Sequence, residues 1–197
     1  LHVVYIWTHD SFRVGEDGPT HQPIEQEAQI RLMEHVHNHR GERSMVVLRP
    51  ADGQETVAAW KFAIEEQRPV ALILSRQNIK DLPGDRKKEA KKLHKGAYVV
   101  ADVAKPDVLL IADGSEVSTL ADAAQLLAEE GISARIISVP SEGLFRDQGT
   151  AYVREILTPG VPRYGLTSGL SVNLRTLVGD DGFIHGLNHF GYSAPYK

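Results

Sequence analysis

Cysteine is absent from the 197-residue sequence. Disulfides and thiolate metal sites are therefore excluded, and the redox compartment leaves no mark on the composition. Long hydrophobic runs are missing too. The longest, VALIL at 70–74 and VLLIA at 108–112, fall far short of the roughly 20 apolar residues that span a bilayer. The first residues do not read as a secretory signal, because no basic stretch, apolar core and cleavage site follow one another. A large excess of either charge is also lacking: 22 Lys and Arg against 26 Asp and Glu give a net charge of −4. Such a balance argues against general affinity for nucleic acid or acidic membranes. No internal repeat or low-complexity tract is present.

What remains is ordinary globular material, 42% hydrophobic and 24% charged, enough for one large domain or two small ones. The chain opens on Leu1 and enters at once what reads as a core strand, HVVYIWT, which suggests a piece of a longer protein. A polar loop follows, then PIEQEAQIRLMEHV, whose Ile24, Ala28, Ile30, Leu32 and Met33 predict a helix with Pro23 in its first turn. SMVVLRP reads as a short strand. In ADGQETVAAWKFAIEEQ, Val57, Trp60, Phe62, Ala63 and Ile64 predict one apolar helix face, and Asp52 can cap its start. PVALILSR is apolar at consecutive positions, as in a strand covered on both faces. Alternating strands and helices predict an α/β fold with a parallel sheet and right-handed crossovers.

The composition then turns polar and basic, with DRKKEAKKLHK reading as a solvated linker face. Beyond it DVLLIAD, SEVSTLADAAQLLAEEG and SARIISVP make a second strand–helix–strand unit, with Gly131 as a helix stop. One further helix is expected over LFRDQGTAYVREIL. The expected organisation is two parallel-type strand–helix–strand domains, the first incomplete, over residues 1–80 and 101–197, with a linker at 81–100.

The loop THDSFRVGEDGPTHQP carries the chemistry. In open parallel sheets ligands bind at the carboxyl ends of strands. The first strand ends in Thr8-His9 and the VALIL strand in Ser75-Arg76, so one sheet would bring His9 and Arg76 to a common edge. An imidazole, a hydroxyl and a guanidinium make an anion site, and the arginine fork fits phosphate bidentately. Asp10, Glu16, Asp17 and His21 add acceptors and a proton shuttle to that rim, with turns at Gly15, Gly18 and Pro19. His21 is expected at the N-terminal end of the helix from Pro23, where the dipole favours the neutral ring. Read from residues alone, the ligand is a phosphorylated, oxygen-rich small molecule.

THDSFRVGEDGPTHQPIEQ closely resembles the transketolase signature, and RPADGQETVAAWKFAIE, ALILSRQN, GSEV and FGYSAP follow in the order of that family. The resemblance covers nearly the whole chain. It implies a transferase of the pentose phosphate pathway that uses thiamine diphosphate and a divalent cation (Mg or Ca) to move a two-carbon ketol unit between sugar phosphates. It also implies a cytoplasmic homodimer with no nucleic-acid or membrane partner. By position, His9 and Arg76 match the ligands of the substrate phosphate. Asp17 matches the aspartate that binds a substrate hydroxyl, and His21 matches the histidine beside the reacting centre, a substrate-binding residue and the candidate catalytic group. The chain then corresponds to the end of the pyrimidine-binding domain plus most of the C-terminal domain. The groups that hold the diphosphate and metal are expected upstream, with no cofactor-binding or metal residue in this stretch, and the stretch is expected to be inactive alone. SFRVG and TSGLSV depart from the usual SIGLG and EAG patterns without touching the matched residues.

Dihydroxyacetone synthase, a transketolase relative with formaldehyde as acceptor, has a very similar loop, and a non-catalytic assembly module remains an alternative of another class. Deoxyxylulose-phosphate synthase and the dehydrogenase β-subunits share the fold, but THDS and THQP count against them. Elsewhere, His35, His37 and His39 alternate in what reads as a solvated loop. His185 and His189 stand four apart without the glutamate of a zinc helix and read as structural.

Overall fold

The computed structural model describes residues 2–13 and 18–192. The first of two sheets holds β1 (Val4–Trp7), β2 (Val46–Leu48) and β3 (Val70–Ile73) in the order β1-β3-β2, every pair parallel. All four residues of β3 are buried, because it is the centre strand and is covered on both faces. Val70 and Leu72 pack with Leu48 and with Ala59 and Ala63 of α2 (Gly53–Glu65), while Ala71 and Ile73 face Val47, Trp7 and Ile30 on the other side. Burying each such leucine or isoleucine contributes about 1.5–3 kcal/mol. β1, expected in the core, is an edge strand, and its Tyr5 and Ile6 are 44% and 46% exposed.

The second sheet runs β4-β6-β5-β7-β8, with β4 (Tyr98–Ala101), β5 (Val108–Ala112), β6 (Ala134–Ser138), β7 (Arg163–Leu166) and β8 (Phe183–His185). β4 is antiparallel to β6; the other pairs are parallel. α4 (Glu116–Glu129) links β5 to β6 and ends at Gly131, whose φ of 77° requires glycine. The single helix expected over residues 144–157 is two, α5 (Glu142–Asp147) and α6 (Thr150–Ile156), broken at Gly149 with φ 82°. α7 (Val172–Val178) precedes β8. The fold is α/β with parallel-type sheets. No helix among the described residues is long and apolar enough to cross a membrane.

The helices after Pro23 and Asp52 bury only part of the apolar face their spacing predicts: Ile24 and Ala63 are buried, whereas Leu32, Val57 and Ile64 are exposed. The expected long helix after Pro23 is α1 (Gln26–Arg31) followed by a 3-10 turn at Leu32–His35. Glu27, Arg31 and Glu34 are its buried side chains, while Leu32 is 64% exposed. The charged face is inward because each charge finds a partner: Arg31 donates to Glu27 and to Asp113, both at 2.7 Å, and Glu34 accepts the Val47 N–H at 3.1 Å. On α2 the inward residues are Glu55, Ala59 and Ala63, and Val57 and Ile64 are each 65% exposed. Small alanines let the helix lie close on the sheet. Asp52 caps it as predicted, accepting the Glu55 N–H at 2.8 Å.

The segment expected as a solvated linker is partly core. Within it lie α3 (Arg86–Glu89), a 3-10 turn at Ala90–Lys95 and the start of β4. Arg86 is buried, donating to Asp52 at 2.6 Å and to the Tyr98 hydroxyl at 2.7 Å. Tyr98 in turn donates to Glu55, which also accepts from Ser138 and from the Ala51 N–H. Burial is the leading cause that raises both the Glu55 carboxyl and the Tyr98 phenol above their ordinary pKa values. Leu93 joins the core beneath α2.

The two sheets meet at strand carboxyl ends. Arg49, just past β2, donates its N–H to the Pro140 carbonyl at 2.8 Å and accepts the Gly114 N–H at 3.2 Å. The ends of β2, β5 and β6 are thereby fixed against one another.

Candidate functional site

β1 and β3 are adjacent and parallel, with Trp7 opposite Ile73 and the Leu74 N–H donating to the Trp7 carbonyl at 2.7 Å. Thr8-His9 and Ser75-Arg76 therefore leave the sheet at the same edge. His9 lines a cavity of about 600 Å³ together with His21, Thr20, Pro19, Pro23, Glu25, Gln26 and Phe190. Both histidines are exposed at its wall. Arg76 is exposed on the same sheet edge but does not line this cavity, and among the described residues it makes no ion pair. Asp17 and Glu16 lie outside the described residues.

The two rings are held in the same way. Thr8 Oγ1 lies 2.9 Å from His9 Nδ1, and Thr20 Oγ1 lies 2.8 Å from His21 Nδ1. When the hydroxyl donates, Nε2 carries the ring proton and can bind an anion. When Nδ1–H donates to the hydroxyl, Nε2 is free to take a proton. The repeated Thr-His dipeptide in THDS and PTHQ is the sequence signal for this arrangement.

His21 belongs to a short 3-10 turn, Pro19–His21, that begins after Gly18 at φ 78°. α1 starts only at Gln26, so His21 does not stand at a helix N-terminus and the expected dipole effect on its ring has no structural basis. Asp10 also departs from the expected rim. It is 7% exposed, and its Oδ2 accepts from Arg49 Nη2 at 2.8 Å and from Ser75 Oγ at 2.9 Å. Phe190 is a cavity residue that sequence reasoning missed, since it comes from the glycine-rich final segment, 181 positions after His9.

Behind the cavity is a buried ionic cluster. Arg49, 1% exposed, reaches Asp10, Asp113 at 2.8 Å, Glu116 at 2.6 Å, Ser168 at 3.0 Å and Glu27 at 3.6 Å. Arg31 adds a second guanidinium, paired with Glu27, Asp113 and Glu34. Burial, reinforced by the Asp113 charge, pushes the Glu27 carboxyl well up. Burial acts on Asp113 in the same direction, but Arg49 and Arg31 outweigh it and hold Asp113 ionised. The two carboxyls are thus pushed in opposite directions, Glu27 towards its protonated form and Asp113 towards its ionised one.

Among the described residues no group of three or more His, Asp or Glu side chains is placed to hold a metal ion. The cavity wall offers two imidazoles and few carboxylates, a poor match to the oxygen ligands that Mg and Ca prefer. His35, His37 and His39 are exposed around a turn closed by the His37–Arg43 bridge, and His185 and His189 are exposed at and beyond β8.

Comparison with known proteins gives concordant results. A family model described as the transketolase pyrimidine-binding domain matches residues 1–81, and one described as the transketolase-like C-terminal domain matches residues 96–197. The transketolase of Halalkalibacterium halodurans is 43% identical over 198 residues, which is 99% of this chain and 28% of that protein. The transketolase of Geobacillus stearothermophilus is 42% identical with the same two coverages, 99% and 28%. Among solved structures, transketolase from Leishmania mexicana superposes with a TM-score of 0.86 at 37% identity, covering 98% of this chain and 27% of that one. A Pichia stipitis transketolase in complex with sedoheptulose 7-phosphate gives 0.81 at 38% identity, covering 96% and 26%. The chain thus spans about 28% of the length of the curated relatives it matches.

Proposed function

The chain belongs to the transketolase family, and from that premise we propose that it supplies substrate-binding and proton-transfer residues for two-carbon ketol transfer from a ketose phosphate to an aldose phosphate. The supporting observation is the convergence of His9 and His21 on one cavity, with Arg76 leaving the neighbouring strand at the same edge. His9 and Arg76 bind the substrate phosphate, the arginine by its planar fork. Asp17 binds a substrate hydroxyl. His21, its Nδ1 held by Thr20, moves a proton at the substrate oxygen next to the reacting carbon.

The chain spans about 28% of its relatives' length, and on this reading the diphosphate of thiamine diphosphate and its divalent cation are held by parts of the protein outside this stretch. The chain alone is then inactive, and the whole protein works as a homodimer in the cytoplasm on sugar phosphates. The test is kinetic, on the whole protein. Arg76→Ala removes charged hydrogen bonds worth about 1.5–3 kcal/mol and should weaken sugar-phosphate affinity by about ten- to a hundredfold. His21→Ala should lower turnover by about 10²–10⁴. An unchanged affinity in the first variant, or an effect on KM alone in the second, would remove that residue from its role. Formaldehyde accepted in place of ribose 5-phosphate would make the protein a dihydroxyacetone synthase.

A further inference from the structure

A single carboxylate oxygen joins the two strand ends that carry His9 and Arg76. Asp10 directly follows His9, Ser75 directly precedes Arg76, and the Ser75 hydroxyl donates to Asp10 Oδ2 at 2.9 Å. The same oxygen accepts from Arg49, through Nη2 at 2.8 Å and Nε at 3.3 Å. The Asp10 and Arg49 side chains are each 1% exposed, so water does not compete for these bonds. From the second sheet Arg49 is gripped by Asp113, Glu116 and Ser168. It also has little room to shift: a Cβ on Gly114, which sits at φ 55°, would lie 2.6 Å from the guanidinium carbon.

We propose that Asp10 and Arg49 are positioning residues for substrate-phosphate binding. Asp10 sets the spacing between His9 and Arg76, and Arg49 makes that spacing depend on the second sheet being seated against the first. The inference rests on the reading of His9 and Arg76 as phosphate ligands. Neither Asp10 nor Arg49 lines the cavity, so each acts only through its neighbour. A purely structural join between the sheets would not need to engage the residues next to both ligands. This one does, through one oxygen shared by Ser75 and Arg49. Two guanidinium N–H groups converging on one carboxylate oxygen fix its position more tightly than a packed apolar contact would.

The experiment measures steady-state kinetics of the whole, cofactor-loaded protein with two donors, a phosphorylated ketose and a ketol donor without phosphate. The variants are Ser75→Ala, Ser75→Thr, Arg49→Lys and Arg76→Ala. Ser75→Ala and Arg49→Lys should raise KM for the phosphorylated donor by about three- to tenfold. Both should leave kcat, and KM for the other donor, within about twofold. Ser75→Thr, which keeps the hydroxyl, should restore the normal KM. Equal losses on both donors would mean general structural damage and overturn the proposal. Should Arg49→Lys not fold, the Ser75 pair decides the matter, since it leaves the buried charges in place. Arg76→Ala separates the two levels of the argument. If it too shows no preference between donors, the phosphate reading itself falls. If it shows one and Ser75→Ala does not, only the positioning role falls.

Discussion

Glu27→Gln tests the charge state of the cluster that joins the two sheets. Glu27 is 4% exposed; its Oε1 accepts from Arg31 at 2.7 Å, its Oε2 from Asn173 at 3.1 Å, and Arg49 stands 3.6 Å away. Burial and the neighbouring Asp113 charge raise its pKa from 4.5 to about 8. In the folded chain it keeps its proton through neutral pH, whereas in the unfolded chain it loses it above 4.5. The unfolded state then binds fewer protons, so this group's contribution is whole below 4.5 and is lost as pH rises towards 8. Each pH unit in that window removes about 1.4 kcal/mol. Glutamine copies the protonated form: its amide can donate to Asp113 and accept from Arg31, and it does not titrate. Between pH 5.5 and 7.5 the variant should therefore gain about 2–3 kcal/mol relative to the parent. The assay is urea unfolding of both proteins at three pH values, read as the difference in free energy. Glu34 and Glu55, also raised chiefly by burial, titrate in both proteins and cancel in that difference. A difference that stays flat, or shrinks as pH rises, would mean that Glu27 is ionised between the two arginines, and the assignment of the proton would be wrong.

Two further outcomes concern the fold. Asp52→Ala removes the α2 cap, worth about 1 kcal/mol, and also deprives buried Arg86 of its 2.6 Å partner. The combined loss should be about 3–5 kcal/mol by denaturant unfolding, and a loss below about 1.5 kcal/mol would mean that Arg86 is not held as described. On the same helix, Val57→Lys should change stability by no more than about 0.5 kcal/mol, whereas Ala59→Lys, at a fully buried position, should prevent folding. A large loss at Val57 would show that this helix face is covered in the complete protein.

What the sequence made legible was local. β3 could be read because a centre strand must be apolar on consecutive positions, and Asp52 could be read as a cap because its partner is three residues away. What it hid was held by distant partners. Arg31 turns inward because of Asp113, 82 positions later, and Arg86 leaves solvent because of Asp52, 34 positions earlier. A hydrophobicity pattern scores a charged side chain as outward-facing and has no means of knowing that its counter-ion will arrive from another element. The site followed the same division. Strand-end reasoning placed His9 and Arg76 on one edge, and His21 does share the His9 cavity. Asp10 was misplaced on the rim because Arg49 lies 39 positions away, and the setting of His21 was misjudged because α1 begins later than Pro23 suggests.

The join between the sheets explains why so much charge is buried there. Strands that meet at their carboxyl ends bring loops together rather than faces, and loops carry backbone polar groups that an apolar contact would leave unsatisfied. Side-chain ions answer that need, at the cost of stripping water from them. Around Arg49 and Arg31 stand the carboxyls of Asp10, Glu27, Glu34, Asp113 and Glu116, three more acids than arginines, so the site carries a surplus of negative charge. Protonating Glu27 removes one of those three charges without moving a heavy atom. Replacing Arg49 by an apolar residue of similar size would do the reverse and strand up to four acids in a dry site. The guanidinium is therefore harder to remove than an isolated buried arginine, and a change that loosens it also loosens Asp10, the residue next to His9 and bonded to Ser75.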